Sequence, residues 1–191
     1  MKNNIYTSTI IIILLLGLGI FFSLKSTLPT EVGTPTGVGA EAVKEIEEDK
    51  ATLSTPVTAV RYENTKYGFS FEKPSGYTVG VLRDDVGETL LVQNAKISSG
   101  FQVYITPVDG PVILTKEQIQ KDLPGTAVNN AKTFKLDGKA DGIMFESSGS
   151  AGDSFEVWFA YQNNLYQVSS YKAYAPELQK IMNTWKFGVN F

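Results

Sequence analysis

The side chains in this sequence best suited to chemistry are carboxylates. The stretch RDDVGE brings Asp84, Asp85 and Glu88 close together, oxygen donors of the kind that calcium takes. Their spacing departs from that of an EF-hand loop, and a turn between YTVGVL and TLLVQN gathers Asp and Gly for its own geometry. A plain hairpin loop is therefore expected, as it is for Asp137 and Asp141 in DGKADG. Glu146 and Glu156 fall on neighbouring predicted strands, and two carboxylates facing across a cleft could cleave a glycosidic bond. As polar positions pointing away from a core they read instead as a solvated sheet face. The many serines and lysines allow a Ser/Lys pair on paper, but no G-x-S-x-G elbow occurs.

The sequence contains neither histidine nor cysteine. That removes the commonest general base, the commonest zinc ligand, thiolate nucleophiles and disulfides. With 17 basic and 20 acidic residues the net charge is −3, unlike the basic footprint that phosphate binding needs, so no nucleic-acid partner is expected. No catalytic, cofactor-binding or metal-ligating residue is assigned, no cofactor is expected, and the chain is read as not being an enzyme.

One aromatic is of interest as a surface residue. Trp158 has the opposite parity to Phe155, Val157, Phe159 and Tyr161, so it is either the floor beneath a covering helix or an exposed ring suited to a partner. Tyr67, Phe69 and Phe71 share one face of their strand and read first as core.

These residues must be positioned by an alternating framework. Period-two patterns mark strands at Tyr67–Phe71, Phe101–Thr106, Asp141–Ser148, Ser154–Gln162 and Leu165–Tyr171. In YENTKYGFSFEKPSGY, Asn64–Lys66 makes the turn of an opening hairpin and Pro74–Gly76 closes its second strand. Asn163–Asn164 is expected to turn the last two strands, which then run antiparallel, and LDGKADG forms a second tight turn. Two helices are predicted. LTKEQIQKDLPG carries Thr115 at the N-cap, Gln118 three residues on, Leu114 and Ile119 as a staple, and Pro124-Gly125 as the stop. APELQKIMNTWKF places Leu178, Ile181, Met182 and Trp185 on one stripe that must cover a sheet.

Upstream, residues Ile5–Leu24 carry no charge, and about 20 helical residues span about 30 Å, the thickness of a bilayer core. Residues 1–24 are expected to be a transmembrane anchor in contact with lipid through residues 5–24. FSLKSTLPT lacks a small-residue cleavage site, so an uncleaved anchor is preferred to a removed signal peptide, both of which export the rest of the chain. Lys2 sets the N-terminus on the cytoplasmic side. Residues 25–59, rich in Thr, Pro, Gly and acid, read as a linker, and residues 60–191 as the folded domain. Within the linker, Glu41–Lys50 has five acids, two lysines and little apolar surface, and reads as a solvated spacer.

The opening YGFSFEKPSGY and the closing LYQVSSYKAYAPELQKIMNTWKF resemble the PsbP-like family, named for an extrinsic subunit of photosystem II, over about Val60–Phe191. The resemblance implies an α+β fold, an antiparallel β-sheet covered by α-helices (a PsbP-like α/β/α sandwich), used as a non-enzymatic docking module on the outer side of a membrane. The histidine-containing metal sites of some members have no counterpart here. The resulting expectation is an anchored extracytoplasmic binding or assembly module with a protein or surface-ligand partner of unspecified identity. A carboxylate-dependent hydrolase and a ligand-free spacer are the alternatives.

Overall fold

A computed structural model describes residues 59–149 and 152–188. The expected anchor over 1–24 and nearly all of the linker over 25–59 lie outside the described residues, and among the described residues no helix is long and apolar enough to cross a membrane.

The described residues open with the hairpin β1 (Ala59–Asn64) and β2 (Phe69–Pro74), paired antiparallel from Ala59↔Pro74 to Asn64↔Phe69. The Asn64 side chain shapes the turn by accepting a hydrogen bond from the Tyr67 N–H at 3.0 Å, and Gly68 takes the left-handed conformation that a side chain would resist. The short β10 (Lys186–Phe187) joins the other edge of β2, giving a three-stranded sheet.

A larger sheet holds β3 (Thr78–Arg83), β4 (Glu88–Asn94), β5 (Ser99–Pro107), β6 (Asn129–Leu136), β7 (Ala140–Gly149), β8 (Gly152–Tyr161) and β9 (Asn164–Tyr171). Its order is β3-β4-β5-β9-β8-β7-β6, antiparallel throughout. The chain leaves β5, passes over one face through α1 (Lys116–Asp122), returns at the far edge as β6 and steps back inward to place β9 against β5.

The helices form for the reasons written in their ends. Thr115, extended at the N-cap of α1, accepts from the Gln118 N–H at 3.2 Å, and Pro124 stops the helix soon after Leu123. Gln118 does not complete a reciprocal box. Its amide turns forward to Asp122 at 2.8 Å. In α2 (Ala175–Asn183), Pro176 occupies the first turn and Leu178, Ile181 and Met182 are buried. The helix ends there because the Thr184 hydroxyl donates back to the Ile181 carbonyl at 2.7 Å and accepts the Glu72 N–H at 2.8 Å, which diverts the chain into β10.

The fold class expected from the sequence needs correction. The protein is mainly antiparallel β-sheet, not a sheet sandwiched by helices. Among the described residues its two α-helices have 7 and 9 residues, and much of what covers the large sheet is the small sheet β1-β2-β10. The opening hairpin carries Phe69 and Phe71 on one face, so it buries them best by lying across the large sheet rather than by extending it. Between the two layers Trp185 stacks on Phe69 with ring centroids 4.4 Å apart, and on Phe71 at 5.2 Å, inside a core that includes Leu90, Phe101, Val157 and Tyr166. The other face of the sheet is covered by α1 over Trp158, Ile143 and Phe145.

One turn is displaced. The β8–β9 hairpin turns on Gln162 and Asn163, with φ of 47° and 59°, and Tyr161 pairs with Asn164. The turn expected at Asn163–Asn164 thus sits one residue earlier, because a two-residue turn with both centres left-handed matches the twist of the strands.

Candidate functional site

The expected candidates settle into separate structural roles. In the loop between β3 and β4, Asp84 accepts the N–H groups of Val86 and Gly87 at 2.8 and 2.7 Å, which folds the turn and turns one of its oxygens toward its own backbone. Asp85 is exposed on the same loop. Glu88 is 3% exposed and receives Lys66 and Arg83 at 2.9 and 2.7 Å. Burial raises its pKa, but those two cations outweigh it and hold the carboxyl below its ordinary value. Among the described residues no group of three or more acids is placed to hold a metal.

Asp137 closes the β6–β7 turn and binds it to β10. It accepts the Phe187 N–H at 3.0 Å and Lys186 at 3.1 Å, and the backbone donor together with the lysines lowers its pKa against the effect of burial. Asp141 is exposed and pairs with Lys135 at 2.9 Å. Tyr67 is half-buried edge-on against Tyr166, while Phe69 and Phe71 are core.

Glu146 and Glu156 do not meet. Strand pairing sets Glu146 opposite Phe155, and Phe145 opposite Glu156, so the two carboxylates leave opposite faces of the sheet. Nor is Glu156 solvated. It is 1% exposed and accepts from Ser154 at 2.7 Å, Ser169 at 2.8 Å and the Trp158 indole at 3.1 Å. Burial pushes its pKa up against the pull of these three neutral donors. Trp158 itself is 1% exposed, the floor beneath α1. Ser154, Glu156 and Trp158 share one parity, so a reading that buries Trp158 under a helix already implies a buried Glu156.

The concave feature that the sequence did not reveal lies on the other face. Seven strands about 4.8 Å apart span about 29 Å, whereas α2 is about 10 Å across and β1-β2-β10 covers a similar width. The uncovered remainder at the β6–β7 end is a groove of about 280 Å³. Its floor is Phe134, Leu136, Met144, Val157, Met182 and Trp185, and its rim is Lys135, Asp137, Gln179, Asn183 and Lys186. Lys132, exposed on β6, stands on the same face opposite Met144. The Trp185 indole N–H is buried and has no hydrogen-bond partner among the described residues. The groove shows no sequence signal, because its walls come from five elements, β6, β7, β8, α2 and β10, spread over more than fifty residues of chain.

The fold and groove define a mainly β protein with an apolar cleft beside a sheet edge. No family model matches the chain, and no curated protein does. Among solved structures it is similar to the solution structure of cyanobacterial PsbP (CyanoP) from Synechocystis sp. PCC 6803, at 13% identity and a TM-score of 0.47 over 82% of this chain and 98% of that one. It is also similar to PA94, a Pseudomonas aeruginosa protein of unknown function, at 10% identity and a TM-score of 0.35 over 66% and 94% of the two chains. At TM-scores below 0.5 neither likeness assigns a family or an activity to this chain.

Proposed function

We propose that this protein is a non-catalytic binding module whose groove between α2 and β6 takes an apolar, acidic segment of a partner, and that residues 5–24 tether it to a membrane with the folded part outside. The groove carries the reading: a cleft of about 280 Å³ with an apolar floor and Lys132 exposed on the same face. Met144 and Met182 let the floor adapt to different side chains. Lys132, exposed on the groove face of β6, favours acidic sequences over others. The uncharged stretch Ile5–Leu24 supports the tether. A ligand-free spacer would need no such cleft.

The test uses the full chain in detergent with Trp158→Phe, which leaves Trp185 as the only tryptophan. Titration with a synthetic peptide alternating Leu and Glu should shift Trp185 fluorescence saturably, more weakly at high salt and with Lys132→Glu. No saturable change, or an equal response to a Leu–Lys peptide, would overturn the reading.

A further inference from the structure

The large sheet has two edges, β6 and β3, and they are treated differently. The β6 edge carries Lys132 and Lys135 and is broken by a bulge between Asn129 and Lys132, devices that keep an edge from pairing indiscriminately. Among the described residues the β3 edge has none of these. Its ladder with β4 runs uninterrupted from Thr78↔Gln93 to Arg83↔Glu88, it contains no lysine or proline, and its one charge, Arg83, is bound inward to Glu88. Val81 is 43% exposed and Leu82 49% exposed. A flat apolar edge of this kind is a template for another strand.

The pattern of side chains says which strand fits. A two-fold axis perpendicular to the sheet pairs β3 antiparallel with its own copy and keeps each face flush, so residues of equal parity meet. Val79 and Val81 lie on the face of Val92 and Leu90, whereas Gly80 and Leu82 lie on the face of Leu91 and Thr89. Centred on Val81, the pairing sets Val81 against Val81 and Leu82 against Gly80. A side chain built at Gly80 would have open space around it, and that space accepts the other copy's Leu82 beside the half-buried Leu91. Each Arg83 then faces Val79, about 13 Å along the strand from its counterpart, beyond the screening length of about 10 Å at moderate salt. Centring on Gly80 would instead leave two glycines facing across a void.

We propose that β3 is a self-pairing edge through which two copies of this chain join their large sheets, seven strands from each copy, into one. A six-residue edge buries less than the roughly 1,000 Å² usual for stable interfaces, so the dimer is weak and concentration-dependent.

The chain has no cysteine, so Val81→Cys introduces a single thiol on the proposed axis. Full-length protein in detergent, oxidised with copper phenanthroline, should give a Val81→Cys disulfide dimer much faster than Ile97→Cys, whose site is 63% exposed but lies on the β4–β5 turn. In sedimentation equilibrium, Leu82→Lys should weaken dimerisation about tenfold or more while the melting temperature holds. Equal crosslinking at the two positions, a monomer at every concentration, or a dimer indifferent to Leu82→Lys would each overturn the proposal. The last outcome would place self-association in another part of the chain.

Discussion

Glu146 and Glu156 stand on opposite faces of one sheet, because β7 and β8 pair them with Phe155 and Phe145 respectively. One carboxylate is partly exposed and meets Lys172 at 2.8 Å, and the other is sealed beneath α1 with three uncharged donors. A single register therefore gives two glutamates opposite electrostatic fates.

Glu156 should make the fold less stable as pH rises. A carboxyl whose folded pKa is raised stays protonated when the unfolded chain has released its proton, so stability declines upward from the ordinary value of 4.5 until the folded group itself ionises. Glu156→Gln should flatten this decline, read as urea midpoints from roughly pH 4 to pH 8. An unchanged slope would show that Glu156 does not set it.

Glu88 carries the opposite sign. Its lowered pKa contributes stability that is present above the ordinary value of 4.5 and is lost as pH falls through the folded value. Glu88→Gln should cost about 1 kcal/mol at neutral pH, because Lys66 and Arg83 are more than half exposed and screened. The loss should shrink in acid, as chemical denaturation at both pH values would report.

Trp158→Ala should destabilise the domain by about 3–5 kcal/mol, since it empties the floor under α1. Trp158→Phe keeps most of the volume but strips a donor from the buried Glu156, and should cost about 1–3 kcal/mol. Equal effects from the two changes would mean that the hydrogen bond, not the packing, dominates.

Gly142→Ala should disturb the groove from behind. An added Cβ would stand 2.6 Å from the Trp158 carbonyl and 2.7 Å from the Phe134 ring, whose strand position is opposite Gly142. The backbone cannot yield easily, so Phe134 moves, at a cost of about 1–3 kcal/mol. Peptide titration of this variant should show altered affinity if Phe134 forms the floor, and differential scanning calorimetry supplies the stability.

Local chemistry made much of this molecule legible in its sequence. Period-two runs gave the strands around Phe101, Phe155 and Tyr166, Thr115 and Pro124 bounded α1, and the turn at Asp137-Gly138 was written in residues that accept left-handed backbone. Each of these depends on neighbours a few positions away. The Asn163–Asn164 turn slipped by one because asparagine tolerates either site, and only the pairing of Tyr161 with Asn164 selects between them.

What lay beyond that reach was decided by contacts between distant segments. The sequence alone located most strands and both helices of the folded part and showed that it holds no imidazole or thiol, but the helix-covered sandwich it suggested is not what forms. Tertiary structure alone decided that the opening hairpin lies across the sheet as a second layer and that α2 stops short of β6 and leaves a groove. The reason is physical: alternation specifies that a strand has an inner face, but which surface that face buries against depends on the widths and positions of layers assembled from the whole chain.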